Sequence, residues 1–81
     1  MFDKMKQIKQ LRALQKEIQK ESFDAEVKGV KVVVNGALKV EEINLNPELD
    51  QSSHENAVRE AINDAMNKAQ TSVAQKMSGL M

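Results

Sequence analysis

Cysteine is absent from the 81 residues and histidine occurs once. The first absence excludes a disulfide framework and thiolate metal ligands, and the second excludes a zinc site built on several imidazoles of one chain. Trp and Tyr are also missing and Phe occurs only twice, so the core must be aliphatic. Recognition of single strands by stacking bases on aromatic rings therefore has little support. No apolar run approaches the ~18 residues of a membrane-spanning helix, and the N-terminus has no secretory hydrophobic segment. Together with the lack of cysteine this fits a cytoplasmic protein that does not engage the membrane.

The length implies one domain, residues 1–81. A chain this short buries only about 60–65% of its unfolded surface, so its core is marginal. With disulfides and metals excluded, pairing with a second copy is the expected supplement.

Lys and Arg number twelve and Asp and Glu twelve, for a formal net charge of zero. The distribution is uneven. Residues 1–20 carry a net +4 and residues 41–67, where Arg59 is the lone base, carry −6. The opening segment is rich in Lys, Gln, Glu, Leu and Ile, and neither Gly nor Pro interrupts it, which predicts a helix over 2–22. At about 100° per residue, Ile8, Leu11, Leu14 and Ile18 share one face. Lys6, Lys9, Arg12, Lys16 and Lys20 fall within about 120° on the opposite face. Phe2 and Met5 lie toward that basic side.

The period then changes to two. Phe23, Ala25 and Val27 alternate with Asp24 and Glu26, and Val30–Val34 is β-branched except for Lys31. Lys28–Gly29 reads as a tight turn between them, and Asn35–Gly36 as a second turn at residues that tolerate positive φ. The third strand is out of phase with itself, since Leu38 and Val40 are even and Ile43 and Leu45 odd. Either a bulge near Glu41–Glu42 resets the face, or the loop runs past Gly36 and only 40–45 is strand; the longer loop is the preferred reading. Pro47 closes the sheet. Ser52 to Glu55 fits a capping box, and a helix is expected to about Ser78 with Val58, Ile62, Ala65, Met66, Ala69, Val73, Met77 and Leu80 as its stripe. Such a helix is about 40 Å long, more than the sheet can cover. The fold class is therefore α+β: helix, three-stranded antiparallel meander, long helix.

Catalytic patterns do not appear. His54-Glu55 begins a zinc-protease HExxH, but Val58 stands where the second histidine belongs. His54 is expected to be a solvated first-turn residue. Glu41 and Glu42 point to opposite faces of a strand and cannot share a site. The scattered glycines make no phosphate loop, and no helix-turn-helix is visible. No enzyme, cofactor, metal or small-molecule substrate is expected. The basic stripe is the one feature suited to a ligand: Lys and Arg neutralise phosphates whatever the base sequence. The structural alternative is an ordinary solvated helix face.

Several strings resemble the YbaB/EbfC family of bacterial nucleoid-associated proteins: the Lys/Gln-rich first helix, Val-Lys-Val-Val-Val-Asn-Gly at 30–36, and Ile-Asn-Leu-Asn-Pro-Glu-Leu at 43–49. Ala-Ile-Asn-Asp-Ala-Met-Asn-Lys-Ala at 61–69 and Lys-Met-Ser-Gly-Leu at 76–80 complete the resemblance. It implies a homodimer whose sheets associate centrally and whose helices project, binding duplex DNA in the nucleoid.

The resulting expectation is a homodimeric duplex-DNA binder acting mainly through phosphate contacts, with Lys6, Lys9, Arg12, Lys16 and Lys20 as the contact residues and weak sequence selectivity. The competing reading, from another class, is a homodimeric scaffold that binds no nucleic acid, favoured by overall neutrality. The two diverge on whether Glu41, Glu42, Glu60 and Asp64 sit beside the stripe and cancel its field.

Overall fold

The computed structural model describes residues 2–78, with side chains except at residues 2–7 and Leu11. Helix α1 (Phe2–Lys20) leads into strands β1 (Ser22–Val27), β2 (Val30–Asn35) and β3 (Val40–Asn44), and helix α2 (Gln51–Ser78) ends the described chain. The strands form one antiparallel sheet in the order β1-β2-β3. The expected α+β order is present, with α1 two residues shorter than its composition suggested. Its last turn closes tightly as the Glu21 amide donates to the Ile18 carbonyl at 3.1 Å.

The two hairpins use different geometry. Lys28 and Gly29 have φ of 51° and 85°, the two left-handed positions of a type I′ turn, which matches the strand twist and pairs Val27 with Val30. The Asn35–Gly36 turn differs from its sequence expectation, because Gly36 is not the left-handed residue. Leu38 is, at φ 62°. The Leu38 amide donates to the Asn35 carbonyl, and the Asn35 side-chain oxygen accepts from the Ala37 and Lys39 amides at 2.9 and 3.1 Å. The turn is thus a three-residue loop closed by a left-handed residue, with the asparagine side chain satisfying its inner donors. The loop does run past Gly36, as preferred, but the bulge is present too. Val33 pairs with Glu42 and Val34 with Val40, leaving Glu41 unmatched. One extra residue on β3 is what brings Val40 and Ile43 onto one face.

The core lies between one face of the sheet and α2. Val30, Val32 and Val34 are fully buried, and Ala25 joins them from β1. Helix α2 contributes Ala57, Ala61, Ala65 and Ala69, a row at four-residue spacing. Methyl side chains let the helix axis approach the sheet closely, which corrects the expected stripe: Val58, Ile62 and Met66 flank the contact and are half-buried, Met77 is exposed, and Leu80 lies outside the described residues. Burying each valine is worth about 1.5–3 kcal/mol.

The α2 N-terminus also differs from expectation. The cap is Asp50, not Ser52: its carboxylate accepts from the Ser53 amide at 2.7 Å and its carbonyl from the His54 amide at 2.8 Å. The Ser53 hydrogen bonds hold the Asp50 carboxyl below its ordinary value. Glu55 accepts from the Gln51 side chain at 3.2 Å and so takes no part in a capping box. Before the helix, Asn46–Leu49 forms a turn around Pro47, and the Asn46 amide group donates to the Lys28 carbonyl at 2.9 Å, tying the exit of β3 to the first hairpin.

Helix α1 does not share this core. It reaches the body through its final turns, where Ile18 is buried, Leu14 is half-buried, and Ile8 remains 50% exposed. The chain measures 60 × 18 × 13 Å. Helix α2 occupies the covered face of β1 and β2.

Candidate nucleic-acid interface

Lys9, Arg12, Lys16 and Lys20 are exposed along α1. The spacing of three or four residues keeps them on one flank, over about 16 Å of helix axis at ~1.5 Å per residue. The backbone of Lys6 continues the flank, while its side chain lies outside the described part, as do those of Phe2 and Met5. The flank faces away from the anchoring contacts because Leu14 and Ile18 take the opposite side. Lys20 in the last turn also meets the negative end of the helix dipole.

Three contacts fix the direction of α1. The Gly36 amide donates to the Glu21 carbonyl at 3.1 Å, Ile18 packs beside Gly36, and Lys76 of α2 pairs with Glu21. The Lys76–Glu21 bridge is the one ion pair within 4 Å among the described residues. It uses no residue of the stripe. Glu41, Glu42, Glu60 and Asp64 are exposed on β3 and α2, and among the described residues none of them pairs with Lys9, Arg12, Lys16 or Lys20. The cationic flank is therefore not neutralised by close ion pairing there.

A second feature escaped sequence reasoning. An open groove of about 530 Å³ runs between the end of β3 and the first half of α2, with Leu45, Val58 and Ile62 in its apolar part and His54, Glu55 and Arg59 among its polar lining. His54 is not the solvated residue expected: it is half-buried and its Nε2 is occluded without a hydrogen-bond partner. Leu45 and His54 line the same groove although nine residues apart, and a helical wheel contains no trace of that juxtaposition. The doubled apolar row on α2, Val58 and Ile62 beside Ala57 and Ala61, is the signal that could have revealed it.

Among the described residues no group of three or more acidic, histidine or cysteine side chains is placed to hold a metal, and no helix is long and apolar enough to cross a membrane. No curated protein matches the chain. The profile of the YbaB/EbfC DNA-binding family matches residues 1–81, so the sequence resemblance holds over the whole chain, and the protein belongs to that family.

Proposed function

We propose that the protein is a homodimeric, nucleoid-associated binder of duplex DNA, cytoplasmic and without catalytic activity, that holds DNA through phosphate contacts from the α1 flank. The observation that carries this reading is the row Lys9, Arg12, Lys16 and Lys20, exposed on a helix whose anchoring contacts among the described residues lie near its C-terminal end, and free of ion pairs among those residues. Phosphate contacts fix position without reading sequence, so selectivity is weak and any preference comes from DNA shape. A two-fold dimer doubles the flank. If Lys6 takes part and all five residues of both copies engage, about ten phosphates are neutralised and the log–log salt slope approaches −9, a ceiling that the acidic remainder of the chain lowers.

Fluorescence anisotropy with unrelated duplexes at two salt concentrations tests the proposal. Similar affinities for all duplexes and a steep loss with salt are expected. Changing Lys9, Arg12 and Lys16 together to Glu should abolish binding with helicity retained; undiminished affinity would remove α1 from the interface. A second reading, a dimeric scaffold that binds no nucleic acid, draws on the zero net charge and the exposed acids of β3 and α2. It predicts no binding to any duplex even at low salt.

A further inference from the structure

Leu38 departs from ordinary chemistry in two ways. Its φ of 62° lies in the left-handed region, where glycine and asparagine are at home and a bulky side chain is disfavoured. It also leaves a large apolar side chain 40% exposed in the loop between β2 and β3. Among the described residues one other side-chain-bearing residue has positive φ, Lys28, and the type I′ turn of the first hairpin requires it there. Leu38 is not among the residues packed on the core. A backbone outlier with no packing reward inside the chain points to a contact outside it.

The loop is held rather than loose. The Ala37 and Lys39 amides donate to the Asn35 side-chain oxygen, the Leu38 amide to the Asn35 carbonyl, and the Asn35 amide to the Lys39 carbonyl at 2.9 Å. With those backbone groups bonded to Asn35, Ala37, Leu38 and Lys39 remain exposed. The loop also adjoins the cationic helix. Gln15, Ile18 and Gln19 of α1 line one crevice with Gly36 and Ala37. On the helix Gln15 and Gln19 stand about 60–100° round from Ile18, and Arg12 and Lys16 follow at about 120–160°. The loop thus borders the near margin of the stripe. Residues 28–40 include Lys28, Lys31 and Lys39 and no acid, so phosphate is not repelled from this segment.

We propose that Leu38 is an apolar wedge that enters the minor groove of duplex DNA held by α1 and presses between two base pairs, kinking the duplex. This rests on the DNA-binding reading above and adds a second, uncharged contact with its own consequence for the DNA. Aliphatic side chains of this size serve as minor-groove wedges, and a loop already fixed loses little freedom on inserting one. The residues on either side, Ala37 and Lys39, are small and charged, so the apolar surface is a point suited to insertion rather than the broad apolar centre of a protein interface. Unstacking is easiest at pyrimidine–purine steps and hardest in A-tracts. The shape preference of the protein is therefore for duplexes carrying TpA or CpA steps.

A fluorescent adenine analogue at a central TpA step reports unstacking, and energy transfer between dyes at the duplex ends reports bending. The protein lacks Trp and Tyr and adds little background. Binding of wild type should raise the analogue fluorescence and bend the duplex by about 20° or more. Leu38→Gly and Leu38→Asn both suit the left-handed backbone and should lose both signals and the preference over an A-tract duplex. Their salt slope should match wild type, since no charge is removed, and Leu38→Met should retain the signals. A wild type that binds no duplex overturns the DNA reading itself. Binding without unstacking or bending, or signals that survive in Leu38→Gly, leaves that reading standing and overturns the wedge. A fall in oligomer mass of Leu38→Gly by sedimentation equilibrium assigns the leucine to contact between copies and overturns the wedge as well.

Discussion

The carbonyl oxygen of Ile18 occupies the space in which any side chain at residue 36 would begin. Gly36 has no left-handed backbone, so its role is close approach: it lets the last turn of α1 rest on the end of β2, with the Ile18 Cγ2 only 2.8 Å from an added Cβ position. The direction of the cationic helix thus depends on a missing methyl group.

Gly36→Ala should therefore be severe for so small a change. The obstructing atom is backbone and cannot rotate away, so a loss of at least about 1–3 kcal/mol is expected. Urea denaturation measures it, and hydrogen exchange should show the α1 amides losing protection before those of β2. A variant as stable as wild type would show that α1 does not dock there.

Leu38 holds φ 62° at the end of the second turn, a conformation that costs a side-chain-bearing residue about 1–2 kcal/mol. Leu38→Gly removes that cost and adds a smaller one for the freer unfolded chain. A net gain of about 0.5–1 kcal/mol in denaturant midpoint analysis is expected. Destabilisation would mean that the exposed leucine side chain makes a contact worth more than the strain.

Asp50 caps α2 through its carboxylate, and its hydrogen bonds with Ser53 hold its pKa below the ordinary 3.8. A lowered folded-state pKa contributes stability that is present above the unfolded value and fades as pH falls through the folded one. Asp50→Ala should lower Tm at neutral pH and flatten the acid limb of Tm against pH. Asp50→Ser should retain much of the neutral-pH stability, since serine also caps, while losing the same acid dependence. An unchanged acid limb in both variants would detach Asp50 from acid stability.

Lys16 is exposed near the centre of the proposed DNA flank. If both copies of a dimer place it on phosphate, Lys16→Gln removes two contacts and the magnitude of the log–log salt slope falls by about 2. The loss should be equal for unrelated duplexes. A loss confined to one sequence would assign Lys16 to base reading instead.

Much of the fold was legible because local chemistry decides it. The uninterrupted helix formers of 2–20, the β-branched run at 30–34 and Lys28–Gly29 each favour one backbone conformation whatever surrounds them. The misreadings lie where two local solutions compete. Both Asp50 and Ser52 can cap a helix, and only the path from Pro47 makes Asp50 the residue that meets the Ser53 amide. Asn35–Gly36 can form a tight type I′ turn, yet the approach of α1 imposes a different demand on its glycine.

By itself the sequence determined the element order, the β2 core strand and the placing of five cations along one side of α1, since periodicity and side-chain type are properties of the chain. Tertiary structure decided which surfaces are covered. That α2 rests on alanines, that β3 and Ile8 stay open and that, among the described residues, the acids leave the stripe unpaired all follow from distances between segments far apart in the chain. Burial and ion pairing are set by those distances, and no local pattern encodes them.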